Sequence, residues 1–330
     1  MDPLSEVLSL FKPQSYAAGG FLIANDMAIQ WPQHEGIKCY AVVSGQCWLS
    51  VEGIAETILL TAGDCYLLPP GPPFRLTTNL SATPVDFKVL LAKRGSADAV
   101  ADKTDGGCYL VGGHFILTGS HADFLLSSLA PIVHIRKESD KAALRWSLQR
   151  MAEEVRDPQP GSSLITQQLA YMMLIQALRL YLSDEATEGV GWLFALADKQ
   201  IGTAIRCMHD EPGYGWTLQK LAEHVGMSRS IFALRFKQTV GATPMEYLTR
   251  WRMLLAGDRL KNSRESISAI ASSLGYESES AFGKAFKRVM ACSPREYGRE
   301  IALPSATSVN INVNGADQYA RSDGISASLS

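Results

Sequence analysis

Residues 218–253 read LQKLAEHVGMSRSIFALRFKQTVGATPMEYLTRWRM, and residues 267–299 read ISAIASSLGYESESAFGKAFKRVMACSPREYGR. One pattern is written twice. Leu218, Leu221, Ala222, Val225 and Gly226 recur as Ile267, Ile270, Ala271, Leu274 and Gly275. After a one-residue insertion in the turn, Ser228, Ser230, Phe232, Phe236, Lys237, Pro244 and Tyr247 recur as Ser278, Ser280, Phe282, Phe286, Lys287, Pro294 and Tyr297. An internal repeat must be explained before any single residue is assigned. Each copy, about 218–239 and 267–290, reads as helix, tight turn, helix, the arrangement that presents a helix to the major groove of DNA.

Phe232 and Phe236, like Phe282 and Phe286, are four apart and share one helix face, which turns them into a small core. The opposite face then carries Arg229, Ser230 and Ala233 in the first copy, and Glu279, Ser280, Gly283 and Lys284 in the second. These are the base-reading candidates: Arg and Lys donate to guanine, and Glu accepts from cytosine. Arg235, Lys237, Arg252, Lys287 and Arg288 are the phosphate candidates, supplying affinity and salt dependence without sequence information. A solvated charged face would look similar in one copy; two copies on a basic module favour double-stranded DNA. Between them Thr243–Lys261 reads as one helix, with Pro244 in its first turn and a stripe of Leu248, Trp251, Leu255 and Leu260. Its 19 residues span roughly 28 Å, close to the ~34 Å between successive major grooves on one side of a duplex.

The charge distribution agrees. The chain of 330 residues has a net charge of −2. Residues 214–303 alone hold 14 Lys and Arg against 8 Asp and Glu, whereas residues 1–213 hold 16 against 23. A basic module joined to an acidic one implies that only the former meets a polyanion. The length suits two domains. The N-terminus MDPLSEVLSL is acidic without a long apolar core, so no secretory leader is expected. The most apolar helix, Leu164–Leu182, contains Gln167, Gln168, Gln176 and Arg179, which argues against a membrane span. A cytoplasmic protein is expected. Its six cysteines show no zinc-ligand spacing and read as reduced, buried thiols, with a redox role left open.

Ahead of the repeat, Asp2–Phe11 has the spacing of a short amphipathic helix. From Phe21 to about Leu117, short apolar runs (CYAVVSG, QCWLSVEG, ETILLTAG, DCYLLPPG, FRLTTN, VDFKVLLA, CYLVGGHFIL) alternate with Gly, Pro and Asn. Such spacing predicts an antiparallel sandwich or barrel. Gly63-DCYLL-Pro69-P-Gly71-PP-Phe74 resembles the second motif of the cupin (jelly-roll) fold, with Phe74 where a metal-binding histidine belongs. Of the first motif's ligands only His34 is present, and Pro32 and Lys38 stand at the others. Because a catalytic metal needs about three protein ligands, no metal and no cofactor are expected. A metal-free barrel can still hold a small-molecule effector, lined by alternate strand residues such as Cys39, Trp48, Tyr66, Leu68 and Phe74, unless these simply fill the core. Helices over Ser120–Leu126, Ala142–Val155 and Leu164–Leu182 follow. The last is apolar on more than one face and is a candidate homodimer surface.

The stretches LAEHVGMSRSIF, RFKQTVGATPMEYLTRWRM and IASSLGYESESAFGKAFKRV, followed by SPREY, resemble the AraC family of transcriptional regulators over about 90 residues. The resemblance implies a regulator that binds promoter DNA through both helix-turn-helix units, with RNA polymerase a further partner. Its cupin-like sensor would often dimerise or bind an effector. The chain then divides into a sensor over 1–182, a linker over 183–198, a DNA-binding domain over 199–303 and a disordered tail over 304–330. Three positions depart from the family. Leu234 stands where the first reading helix usually has Arg, Ala291 stands where Gly precedes Ser-Pro, and Gly298 replaces a terminal Arg. The competing class is a metal-dependent cupin enzyme with an accessory DNA-binding domain.

Overall fold

A computed structural model describes residues 2–10, 15–93, 107–116, 129–183 and 191–299. Helix α1 (Pro3–Leu10) precedes eight strands: β1 (Ser15–Ile23), β2 (Ala28–Trp31), β3 (Ile37–Ser44), β4 (Gln46–Val51), β5 (Ile58–Thr61), β6 (Cys65–Leu68), β7 (Phe74–Thr77) and β8 (Pro84–Asp86). Then come α2 (Phe87–Lys93), β9 (Cys108–Ile116), β10 (Val133–Ile135), α3 (Glu138–Arg156) and α4 (Ser162–Ser183). The helical region holds α5 (Trp192–Ala195), α6 (Lys199–Asp210), α7 (Leu218–His224), α8 (Arg229–Val240), α9 (Pro244–Asn262), α10 (Ile267–Ser273), α11 (Glu279–Met290) and α12 (Pro294–Arg299). The chain divides into a strand-rich unit and a helical unit.

The strand unit is a sandwich of two open five-stranded sheets, ordered β1-β9-β3-β6-β10 and β5-β4-β7-β2-β8. Neither closes on itself, so of the two forms expected from the strand spacing the sandwich is the one adopted. Pairing is antiparallel except for β2 with β8. Alternation along the strands sends one set of side chains between the sheets, where Ile23, Val42, Tyr66, Leu68, Cys108 and Leu110 from one sheet meet Trp31, Leu49, Leu60, Phe74 and Leu76 from the other. The β3–β4 turn depends on Gly45: its φ is +79°, and a Cβ there would fall 2.1 Å from the Gly107 carbonyl oxygen.

Helix α3 packs on β1, β3 and β9. Helix α4 buries Leu169, Met173, Leu174, Ala177, Leu178 and Tyr181 within the unit, with the Tyr171 ring 6.3 Å from Phe115. Most of its apolar surface is thereby used inside one protomer; Leu164 and Ile165 stay exposed, as does Trp146 on α3. The helix expected over Ser120–Leu126, residues 184–190 of the linker and the tail over 304–330 lie outside the described residues. Within the expected linker, Trp192–Ala195 forms a helical turn with Trp192 and Leu193 buried.

Helix α1, grouped by sequence with the strands, belongs to the helical unit and packs on α6 and α9. It buries Leu4, Val7 and Leu8, and a buried histidine adds a polar tie. His209 Nδ1 lies 2.8 Å from Glu6 Oε2 and Nε2 lies 2.8 Å from the Tyr247 hydroxyl, while the imidazole stacks at 3.7 Å on Trp251. Burial lowers the His209 pKa, against the opposing pull of Glu6. The neutral ring therefore donates Nδ1–H to the carboxylate and accepts from the tyrosine. Replacing Glu6 with Ala strands a buried donor. The expected cost is roughly 1–3 kcal/mol of stability, read as a lower urea midpoint for the helical unit with an unchanged slope.

Candidate functional site

The two reading helices, α8 and α11, are built alike. Ser228 caps the first by accepting from the Ile231 N–H at 3.4 Å, and Ser278 caps the second by accepting from the Ala281 N–H at 3.1 Å. Phe232 and Phe236 are buried 5.6 Å apart, and so are Phe282 and Phe286. A third ring closes each core: Tyr247 lies 5.8 Å from Phe236, and Tyr297 lies 5.5 Å from Phe286. With those faces committed, Arg229, Ser230, Glu279, Ser280 and Lys284 are exposed, and Ala233 and Gly283 are half-buried beside them. Nothing lies within 4 Å of where a Gly283 Cβ would stand, so that surface is open.

The phosphate candidates fall into two groups. Lys237, Lys287 and Arg288 are exposed on their helices. Arg235 instead reaches back to Asp198 Oδ2 at 2.7 Å and Gln200 Oε1 at 3.0 Å, tying α8 to the N-terminus of α6. Arg252 is engaged further: its guanidinium donates to the Pro212 carbonyl at 2.6 Å and the Tyr214 carbonyl at 2.9 Å, and it lies over the Tyr276 ring. Arg252 thus anchors the segment entering α7 and is not brought beside the exposed lysines. Two exposed residues are not among the base-reading candidates, although Leu234 is marked as a departure from the family. Ile231 and Leu234 are both 60% exposed on α8, with Leu234 at the position that Lys284 takes in α11. Aligning the copies position by position would have found them.

The caps also explain Ala291. It ends α11 at φ 63°, as Gly241 ends α8 at φ 82°. The left-handed position is required in both copies, and the second fills it with a residue carrying a Cβ. Ala291→Gly is expected to raise stability by about 1 kcal/mol, and Gly241→Ala to lower it by a similar amount; thermal denaturation of the two variants checks both signs.

The strand unit holds a second cluster. Tyr66, Leu68 and Phe74 face the space between the sheets, but Cys39 and Trp48 have the opposite parity and do not join them. Cys39 Sγ instead lies 3.9 Å from Cys65 Sγ. That contact, with burial, holds the Cys39 thiol well above its usual pKa, and Cys108 does the same to Cys47. Such thiols stay protonated and are poor nucleophiles. Lys38, by contrast, shares the inner face. It pairs across the sheet with His114 on one side and Leu68 on the other, and its Nζ lies 5.8 Å from the centre of the Phe74 ring. The His34 ring sits 5.5 Å from Phe74 and 6.3 Å from His114. Burial, then the Lys38 charge, brings both imidazoles down to about 4. Burial brings the Lys38 ammonium down to about 8.

These residues do not fit a cupin metal. An ammonium occupies the position of the acidic ligand and a phenyl ring that of a histidine, so His34 would face a divalent ion beside a fixed positive charge. Among the described residues no three His, Cys, Asp or Glu side chains are grouped to hold one.

Comparison with known proteins follows the two units. Residues 2–183 match a Cupin family model, and residues 221–300 match a Helix-turn-helix domain model. A putative AraC-like transcription regulator of Streptomyces lividans is 38% identical over 92% of this chain and 100% of its own length. The chain belongs to the AraC-like transcription regulators. A second such regulator, from Streptomyces antibioticus, is 38% identical over 90% of this chain and 98% of its own. The RCS-specific HTH-type transcriptional activator RclR of Escherichia coli K12 is 28% identical over 91% and 98%. No described helix of this AraC-like chain is long and apolar enough to cross a membrane.

The paired histidines make the strand unit acid-sensitive. Their folded pKa of about 4 lies below the ordinary 6.5. The unfolded chain therefore takes up protons first, and stability present above pH 6.5 is lost as the pH falls towards 4. The expected slope is on the order of 1 kcal/mol per pH unit for each histidine. Urea titrations at pH 7 and pH 5 check it, and His114→Gln should remove about half of the difference.

Proposed function

We propose that this chain is a sequence-specific DNA-binding transcriptional regulator, acting as a binder and not as a catalyst. Both reading helices engage one promoter duplex. The observation that carries this reading is the repeated exposure pattern of α8 and α11. Each buries two phenylalanines at matching positions, is capped by a serine at the matching position and turns its other face to solvent. That face is polar and basic in α11 and mixed with Ile231 and Leu234 in α8. Helix α9, 19 residues long, joins them. At ~1.5 Å per residue its length suits two successive major grooves.

Sequence is read in this proposal by Arg229, Ser230 and Ala233 with Ile231 and Leu234 in the first groove, and by Glu279, Ser280, Gly283 and Lys284 in the second. The exposed Leu234 suits a thymine methyl group, where a guanidinium would select guanine. Lys237, Lys287 and Arg288 hold phosphates. The strand unit acts as the sensor for a small-molecule effector, and the exposed Trp146, Leu164 and Ile165 support its self-association as a homodimer. The protein works in the cytoplasm, where its DNA is.

Genome-wide mapping of bound DNA would supply a natural site, on which fluorescence anisotropy separates the two kinds of contact. Lys284→Ala should weaken that site by roughly 1–3 kcal/mol and relax preference at one position, whereas Lys287→Ala should weaken all sequences alike and reduce the salt slope by about 1. Wild-type affinity for both variants on the mapped site would remove α11 from the interface.

A further inference from the structure

Between the sheets of the strand unit, three basic side chains converge and no acid among the described residues meets them. Lys38 is only 9% exposed. Its ammonium lies over the Phe74 ring, beside His114 in the sheet, and makes no hydrogen bond or ion pair with any described residue. Both ring nitrogens of His34 are buried without a well-formed hydrogen bond, and only the backbone of Leu68 and Pro69 lies near enough to act on them. His114 is partly satisfied, its Nε2 meeting the Glu35 carbonyl oxygen. Glu35, the nearest acid in the chain, is itself exposed. Buried ammonium groups without a counter-ion are rare, because burial penalises the charge and nothing returns it.

The donors here have a definite complement. Lys38 offers three N–H groups, and a neutral His34 offers one more beside a single acceptor nitrogen, so donors outnumber acceptors four to one. A carboxylate supplies about four lone-pair sites and a single negative charge, which matches one ammonium flanked by neutral imidazoles. A doubly charged phosphate exceeds that charge, and an uncharged polyol leaves the ammonium uncompensated. The surroundings define the rest of the ligand. Phe74 stacks on Trp31 at 4.9 Å, and Trp31 stacks on Phe87 at 5.1 Å and lies 5.6 Å from Phe21, giving an apolar aromatic wall beside the cations. Pro32, Gln33 and Glu35, next to His34 in the chain, are exposed, so the cluster lies near the solvent edge of the sandwich.

We propose that Lys38 and His34 form a binding site for the carboxylate of a small organic acid whose apolar body lies against Phe74 and Trp31. This rests on the reading of the strand unit as a sensor, and it names the ligand class. In place of the metal that a cupin would hold, the site keeps a protein cation and takes an organic anion.

The test uses the full-length protein and three probes, benzoate, phenylacetate and octanoate, each beside its uncharged amide. Calorimetric titration and thermal denaturation should show at least one carboxylate binding and raising the Tm while its amide does neither. Lys38→Met should weaken that binding on the order of 30-fold or more and leave the free protein as stable as wild type or more so. Lys38→Arg should retain more affinity than Lys38→Met. Failure of all three carboxylates to bind, equal binding of acid and amide, or undiminished binding to Lys38→Met would each overturn the proposal. Promoter-DNA affinity measured with bound carboxylate separates this inference from the reading beneath it. A carboxylate that binds through Lys38 without changing DNA affinity keeps the site and removes the sensor role. An uncharged compound that shifts DNA affinity equally in wild type and Lys38→Met keeps the sensor role and overturns the site.

Discussion

The constraint that organises the helical unit is the burial of two phenylalanines, four residues apart, in each copy of the repeat. A motif of some twenty residues has few other large apolar groups, and each buried ring contributes roughly 1.5–3 kcal/mol. Fixing two rings on one face fixes the helix rotation, because residues four apart share a face. Every other position is then assigned. Leu234 and Lys284 point outward since the two phenylalanines of each helix point inward, and the serine caps set where each helix begins. The third ring extends the constraint beyond the motif. Tyr247 packs on Phe236 and also bonds His209, which holds Glu6 of the N-terminal helix. The first reading helix is thus connected, through one tyrosine and one histidine, to the start of the chain.

The second copy repeats the geometry with different surroundings. Tyr297 packs on Phe286 as Tyr247 does on Phe236, but its ring receives the Lys261 ammonium at 4.4 Å instead of a histidine. Two equal cores therefore have unequal supports. The first is buttressed by α5 and α6, and by Arg235 reaching Asp198. The second is buttressed by α9 and by α12. This inequality matches the chemistry of the exposed faces, where the first helix shows Ile231 and Leu234 and the second shows Ala281 and Lys284.

How far the sequence was readable depended on whether a feature was local. The repeat, the joining helix and the inward phenylalanines follow from spacing alone, and the structure has all of them. The glycine-like conformation of Ala291 was readable too, since only comparison with Gly241 was needed. Features that depend on register or on long-range pairing were not. Cys39 and Trp48 sit one residue off the inner face, and alternation without a register cannot say which parity is inside. Arg252 looked like any exposed arginine in a helix, yet it holds two carbonyls some 40 positions away in sequence. The contact between Glu6 and His209 spans 203 positions and left no local signal. Lys38 was an intermediate case. Its place in the cupin motif was visible, but only the sheet register with His114 shows it facing inward.

Magnitudes decide which of the chain's cations require explanation. An exposed lysine on a reading helix costs almost nothing to maintain, and a partner there changes stability by ~0–1 kcal/mol. Its presence is therefore weak evidence taken singly, and the DNA-binding reading draws its strength from the repeat that places such residues twice. A buried ammonium is different, because the penalty for an uncompensated buried charge runs to several kcal/mol. Methionine at position 38 would fill the same space beside Phe74 without that penalty. A marginally stable domain, with ~5–15 kcal/mol to lose in all, keeps such a group only at a cost that its exposed lysines do not carry. One buried lysine consequently calls for more explanation than the whole set of exposed ones.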